Sequence, residues 1–445
     1  MISQIDTIAA IATPPGKGGV AIVRVSGPNV ADIALRVCGK QPQPRLATFA
    51  VFRSQDAVVD EGIVIRFVAP HSFTGEDVLE LQGHGGTVVV NAVLEAVLAA
   101  GARLARPGEF SERAFLNNKL DLVQAEAVAD LIDAETTLAA RSAVRSLQGA
   151  FSSKIHDLVT SLIRLRQFVE ATIDFPDEDI EFIESSTVVQ DLLQLQQQLL
   201  EIDRSAHQGV LLKEGMTVVI TGKPNAGKSS LLNALACRDS AIVTAIPGTT
   251  RDVLREQIQI DGMPLHIVDT AGLRQAQDQV EQVGVERAHQ ALSSADLIVL
   301  LVDATEAVDQ HFIQEVKNQY PDVPLLEVMN KADLLDKGVA TSLKSDCVVS
   351  AKTGHGIDEL KNQLKAVMGF TAGDHQFIAR QRHLEALRSA ANSIDHGLTQ
   401  LKQHQTIELL AEDLRQAQLS LNRITGEFTS DDLLGEIFSH FCIGK

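Results

Sequence analysis

Tryptophan is absent from this chain, tyrosine occurs once, and aromatic residues make up only 4% of it. A single-strand nucleic-acid platform, which stacks successive bases on aromatic rings, is therefore not expected. Positive charge is also short: 39 Lys and Arg stand against 58 Asp and Glu, a formal net charge of −19. That balance excludes a broad basic surface for non-specific nucleic-acid binding, though not a local patch. The four cysteines, Cys38, Cys237, Cys347 and Cys442, are scattered, with no CxxC pair and no histidine at ligand spacing. Their scatter argues against a local metal or iron–sulfur motif, and reduced, buried thiols are the reading for the first three. Long apolar runs are missing too. The longest such segment, Val88 to Gly101, carries Asn91 and Glu95 and falls short of the roughly 20 residues a spanning helix needs. Asp6 stands where a signal peptide would carry basic residues. A cytoplasmic protein with no membrane partner is the expectation.

What is present is enough for several cores. A chain of 445 residues with 45% hydrophobic content is expected to divide into two or three globular domains. Up to residue 118, short β-type runs (Val20–Val25, Gly62–Val68, Val78–Leu81) mix with Gly- and Pro-rich turns and one helical stretch near Thr87–Ala100. From about Leu120 to Gln208, apolar residues recur three and four apart, as in IHDLVTSLIRLRQFVEA, and Pro176 sits in an acidic break between helices. From about Met216 to Gly369, apolar β runs (TVVITG, LHIVDT, DLIVLLVD, PLLEVMN, DCVVS) alternate with helical stretches, the texture of a doubly wound parallel sheet. Helical texture returns after Thr371. The pattern predicts a multidomain chain: an α+β domain over 1–118, a discontinuous α-helical domain over 119–212 and 371–445, and an inserted α/β P-loop domain over 213–370.

Gly222 to Ser229 read GKPNAGKS, a full GxxxxGK[ST] loop between the strand TVVIT and the helix SSLLNALA. Backbone amides of Asn225, Ala226, Gly227 and Ser230 can curl around phosphates at that helix N-terminus. Lys228 would neutralise the β- and γ-phosphates and Ser229 would ligate Mg²⁺. Three more motifs follow in order. Asp269-Thr270-Ala271-Gly272 closes a strand where a carboxylate can hold the Mg²⁺ shell and the Gly272 amide can sense a γ-phosphate. Asn330-Lys331-Ala332-Asp333 follows another, and the Asp333 carboxylate can accept from both guanine donors, which adenine lacks. Ser350-Ala351-Lys352 could offer an amide to the guanine O6. The nucleotide is therefore GTP rather than ATP.

Hydrolysis needs another device. Ras-like enzymes orient water with a glutamine just after DxxG, and that position here is Leu273. Ile246-Pro247-Gly248-Thr249-Thr250-Arg251-Asp252 lies where switch I belongs; its threonines are candidates for Mg²⁺ and γ-phosphate, or members of a polar turn. Glu281 is read either as a water-polarising group or as an exposed helix glutamate.

The segments ATPPGKGGVAIVRVSG, FTGEDVLELQGHGG, RPGEFSERAFLNNKLDLVQAEAVADLI, PGTTRD, DTAGLR and FCIGK give the chain, over essentially its whole length, a resemblance to the MnmE (TrmE) family of bacterial tRNA-modification GTPases. Two small departures are a first glycine loop reading GKGG, where an Arg is frequent, and Pro247 at a variable switch position. The resemblance implies a constitutive homodimer held by an N-terminal domain that binds 5-formyltetrahydrofolate or a related tetrahydrofolate. It implies a complex, heterotetrameric or larger, with the FAD-dependent enzyme MnmG (GidA), and installation of an aminomethyl-type group on carbon 5 of the wobble uridine of certain tRNAs. It also implies a potassium site on Asn225, Thr244, Ile246 and Thr249 in place of an arginine finger, Mg²⁺ on Thr250, and Glu281 as the residue that orients water. Arg24, Glu80, Lys119 and Lys445 match its folate-binding positions. Cys442, beside that pocket, is either a nucleophile or proton donor or a thiol that merely packs.

Two other classes of GTPase fit the sequence less well. A ribosome-assembly GTPase would show a GXXG-clamp RNA module or tandem G domains, and only one phosphate loop occurs. A cluster-assembly GTPase would need a Cys/His cluster, which the chain lacks.

Overall fold

The structure is a computed structural model that describes residues 6–174, 187–236, 255–269, 289–306, 309–335, 345–371, 377–404, 407–427, 431–439, 441 and 444. The chain forms two compact units. One comprises Met1–Ala129, Ser146–Gln197 and Ala386–Lys445; the other comprises Asp130–Arg145 and Gln198–Glu385. The first contains an α+β layer and a set of long helices, the second an α/β layer, so the chain is multidomain.

In the first unit six strands form one sheet: β1 (Ile8–Ile11), β2 (Gly18–Ser26), β3 (Thr48–Ser54), β4 (Ala57–Phe67), β5 (Val78–Gly85) and β6 (Arg103–Leu104). Their order is β3-β4-β5-β2-β1-β6, antiparallel throughout except for the parallel β1–β6 pair. Side chains alternate between the faces of a strand. Val23, Val25, Phe52, Leu79 and Leu81 therefore share one face and are buried against helices Val30–Cys38 and Thr87–Ala99. The intervening positions turn the other way, and there Arg24 lies opposite Glu80 in register. That second face carries helix Glu109–Leu116, whose Phe110 is fully buried with Ile8 and Ala10. Helix Ala150–Asp174 packs along helix Ile407–Thr425. Asp431–Ser439 covers Leu122 and Ala125 through Leu434, Ile437 and Phe438.

In the second unit β7 (Met216–Thr221), β8 (Arg255–Ile260), β9 (Met263–Asp269), β10 (Leu297–Asp303), β11 (Leu325–Asn330) and β12 (Cys347–Val348) form a sheet of order β12-β11-β10-β7-β9-β8. All pairs are parallel but one: β8 runs antiparallel to β9 through a turn at Asp261 and Gly262. The expected parallel sheet thus gains an antiparallel edge. REQIQI reads as alternating, as an edge strand does, whereas LIVLLVD is apolar without a break because both of its faces are covered. Leu297, Val299 and Leu301 of β10 enter one core layer; Ile298 and Leu300 enter the other. Cys38 and Cys347 are buried free thiols, pushed up to about 12 and about 11 mainly by desolvation. Among the described residues no helix is long and apolar enough to cross a membrane.

Candidate functional site

Parallel strands ending side by side leave a crevice at their carboxyl edge, where ligands of open α/β sheets bind. β7 ends at Thr221, β9 at Asp269, β10 at Asp303 and β11 at Asn330, so the candidate motifs leave the sheet at this one edge. Between β7 and helix Lys228–Ala236, the phosphate loop closes on itself. Lys228, a residue 8% exposed, donates from its ammonium to the carbonyls of Gly222 at 2.9 Å and Lys223 at 3.0 Å. Asn225 takes a left-handed conformation at φ 66°, one that asparagine tolerates better than most residues. Its side chain and those of Ser229 and Ser230 are exposed.

The guanine-type motifs are joined to this loop by a buried amide. Asn330, 2% exposed, donates from Nδ2 to the Ala226 carbonyl at 2.8 Å, and its Oδ1 accepts from the Ala351 amide at 3.0 Å. Gly227, at φ 96°, is required here, because a Cβ would lie 2.3 Å from Asn330 Nδ2. The Ser350 hydroxyl donates to Asp333 Oδ1 at 2.6 Å and accepts from the Thr353 amide at 3.2 Å, which orients the carboxylate. Lys352 is exposed on the turn that follows. Lys331 pairs with Asp303 at 2.5 Å, a partner that motif reading missed. Its only signal in sequence is a carboxylate closing an otherwise apolar strand. Thr244, Ile246, Thr249, Thr250, Gly272, Leu273 and Glu281 lie outside the described residues, and of Asp269 the backbone alone is described.

The first unit holds the other candidate residues. Arg24 donates from Nε to Glu80 Oε1 at 3.0 Å and from Nη1 to the carbonyl of Gly444 at 3.2 Å. Its guanidinium lies 5.6 Å from the Phe73 ring centroid and 5.9 Å from that of Phe110. Gly444, at φ 93°, rests on β1 so closely that a Cβ would meet the Ile11 carbonyl oxygen at 2.3 Å. Lys119 stands by the same loop as Phe73 but donates to the Pro70 carbonyl at 3.0 Å, beside a cavity of about 520 Å³ also lined by His156 and Gln124. Cys442 and Lys445 lie outside the described residues.

Partly buried ions hold that loop. Ser26 bonds to Thr74 and Glu76 at 2.7 Å each, and Arg113 joins Glu76 to Asp6 and Glu109. Desolvation pushes the Glu109 carboxyl up, but Arg103, the Arg106 amide and Arg113 outweigh it and hold its pKa below the ordinary range. Phe73, Phe110, Glu76 and Gly444 are contributors that no spacing rule connects, since they come together only through the sheet and the tail. Among the described residues no group of three or more His, Cys, Asp or Glu could hold a metal ion.

A phosphate loop closed by its own lysine and tied through Asn330 to the turn that carries Ala351, with Ser350 bonded to Asp333, is the arrangement of a P-loop GTPase domain at the carboxyl edge of the second unit's sheet. Comparison with known proteins carries this further. The GTP-binding protein TrmE N-terminus family matches residues 7–119, and the MnmE helical domain family matches residues 122–442. The tRNA modification GTPase MnmE of Chromohalobacter salexigens is 57% identical over 99% of this chain and 98% of its own. That of Sodalis glossinidius is 56% identical over all of both chains, and that of Hydrogenovibrio crunogenus 55% over 99% of each. The chain belongs to the MnmE family of tRNA modification GTPases. It is an enzyme that hydrolyses GTP in the course of tRNA modification.

Proposed function

We propose that this chain is a potassium-activated GTPase which, with the flavin-dependent partner MnmG, modifies carbon 5 of the wobble uridine of certain tRNAs and draws a one-carbon unit from a tetrahydrofolate. The observation that carries the folate half is the surroundings of Arg24: a guanidinium paired with Glu80, flanked by the Phe73 and Phe110 rings and tied to the chain's tail at Gly444. A pterin is a flat heterocycle with donors and acceptors along its edge. Aromatic rings offer it a face, and an Arg–carboxylate pair offers it both hydrogen-bonding polarities. Arg24, Glu80, Lys119 and Lys445 would hold 5-formyltetrahydrofolate, the two lysines suiting the carboxylates of its glutamate tail. The bound folate would supply the one-carbon unit, with Cys442 as a neighbouring thiol.

In the GTPase domain Asn225 to Ser230 would enclose the phosphates. Ser229 and Thr250 would hold Mg²⁺, which neutralises charge on the β- and γ-phosphates. The exposed Ser229 in the first turn of its helix suits that role. Asn225, with Thr244, Ile246 and Thr249, would hold K⁺, and Glu281 would orient the attacking water. Asn330, Lys331, Asp333, Ser350, Ala351 and Lys352 would enclose the guanine, and Asp269 and Gly272 the γ-phosphate side. The domain reading is threefold: 1–118 for folate and homodimerisation, 119–212 with 371–445 as the helical domain, and 213–370 for GTP. MnmG joins the homodimer in a heterotetramer or larger complex, in the cytoplasm.

The test is titration calorimetry of 5-formyltetrahydrofolate against the full-length chain and Arg24→Ala. Losing a charged hydrogen-bond donor should weaken folate binding by about tenfold or more while GTP affinity stays unchanged. Mass spectrometry of wobble uridines from cells carrying only that variant should show undermodified tRNA. Wild-type folate affinity in Arg24→Ala would overturn the folate assignment.

A further inference from the structure

The backbone of Lys331 adopts φ 67° and ψ 32°, a left-handed conformation that costs a residue with a Cβ free energy and persists only where its surroundings enforce it. Lys331 follows Asn330, the amide that ties the phosphate loop to the SAK turn, and precedes Asp333. Its side chain ends on Asp303 Oδ2 at 2.5 Å. Asp303 closes β10, and the β10–β11 register sets it directly opposite Asn330. Its other oxygen, Oδ1, is engaged by the Thr305 hydroxyl at 2.7 Å and the Thr305 amide at 3.0 Å. The Ala304 amide donates to the Asn330 carbonyl at 2.9 Å, so backbone and side chain both bind this turn to the guanine motif.

A second lysine–aspartate pair lies nearby. Lys223 of the phosphate loop meets Asp309 at 2.7 Å, but those side chains are 52% and 41% exposed. Pairs as open as that contribute little. Asp303, by contrast, is 11% exposed and Lys331 32%. The Asp303 pair is the one able to fix a side chain.

We propose that Asp303, braced by Thr305, is a positioning residue for guanine binding: it holds Lys331 in place as part of the wall that a guanine nucleotide meets. The inference rests on Lys331 belonging to the guanine site. An ordered wall serves GTP, the transition state and GDP alike. Its loss therefore lowers affinity for both nucleotides and raises KM, with kcat at saturating GTP unchanged.

The experiment measures GDP and GTP affinity and steady-state GTPase kinetics on the full-length chain and its variants, with thermal melts as a control on folding. Asp303→Asn should weaken both nucleotides by about tenfold with kcat within about twofold of wild type. Thr305→Val, which removes only the hydroxyl brace, should weaken them by about twofold to threefold. In a Lys331→Met background either change should have less than about a twofold effect, because its means of action is already gone. If Lys331→Met alone leaves affinity intact, the placing of Lys331 in the guanine site fails. If Lys331→Met weakens binding but Asp303→Asn and Thr305→Val do not, or weaken it equally in the Lys331→Met background, the positioning role of Asp303 fails. Should Asp303→Asn not fold, the Thr305→Val pair of measurements decides alone.

Discussion

The two sheets of this protein gather their candidate sites in different ways. In the parallel sheet the strands point the same way, so successive loops open on one edge and short local motifs converge without long side chains. In the antiparallel sheet neighbouring strands point in opposite directions, and the candidate site lies on a face instead. It is assembled from residues as far apart as Arg24 and Gly444, 420 positions away. The first arrangement concentrates function in a few contiguous residues. The second distributes it over ion pairs that join distant segments. Single substitutions should thus act selectively in the GTPase domain and more structurally around Arg24.

The sharpest test of that contrast, and the largest expected effect, is Asp333→Asn. Ser350 already orients the Asp333 carboxylate from one side. Exchanging the acceptor for a carboxamide presents a donor to a donor on guanine. GTP affinity should fall about 10³-fold, equivalent to about 4 kcal/mol, while xanthosine triphosphate binding improves. Competition of both nucleotides against a fluorescent GDP analogue reads this directly, and thermal stability without nucleotide should barely change. Equal GTP affinity in variant and wild type would remove the guanine assignment.

This contrast also decides what could be read from the sequence. GKPNAGKS, DTAG, NKAD and SAK sit on strand ends that apolar runs announce, so the P-loop layer was legible from pattern alone. The antiparallel β8 does not stand out in the sequence because REQIQI is a short edge strand whose polar and charged positions break any apolar run. Asp303 escaped because a pairing across β10 and β11 depends on register, which no local motif encodes. Around Arg24 the residues themselves gave only a cation on a β-type run. Glu80 faces it because of the β2–β5 register, and Phe110 and Gly444 arrive on other elements. Family resemblance supplied Arg24, Glu80 and Lys119, but their geometry was not deducible from spacing.

If the Arg24 face depends on its ion pairs, pH should expose it. Glu109, with a side chain 3% exposed, is gripped by Arg103 and Arg113 and ionises below its ordinary value of 4.5. A depressed folded-state pKa adds stability that is complete above the unfolded pKa and disappears as pH falls through the folded one. Asp6, depressed mainly by its bond from Arg103, acts in the same direction. At pH 7 Glu109→Gln should cost about 3 kcal/mol, because it takes a carboxylate partner from the largely buried Arg113 guanidinium and from the more open Arg103. The gap in Tm between variant and wild type should narrow steadily from pH 5 to pH 3. A gap independent of pH would mean that packing at position 109 matters and its charge does not.

The smallest expected effect bears on the one function the GTPase motifs do not explain. Leu273 occupies the position where a glutamine would orient water, and an alkyl side chain can neither do that nor offset charge. Lys228 already serves the carbonyls of Gly222 and Lys223 within the loop. Asn225 stands exposed in a left-handed turn, where its carboxamide oxygen is available to a monovalent cation. A cation there would add positive charge where negative charge develops in the transition state. Replacing Na⁺ by K⁺ at equal ionic strength should then raise kcat for GTP hydrolysis by about tenfold, or about 1.4 kcal/mol of barrier. The two ions carry the same charge, so general screening moves neither rate and only a fitted site tells them apart. Asn225→Ala should bring the two rates together at the lower value and leave GDP affinity within about threefold, since the loop's phosphate contacts are backbone amides. Equal rates for the wild type in both salts would refute the site. A K⁺ advantage that survives Asn225→Ala would place the cation on other ligands and separate it from the phosphate loop.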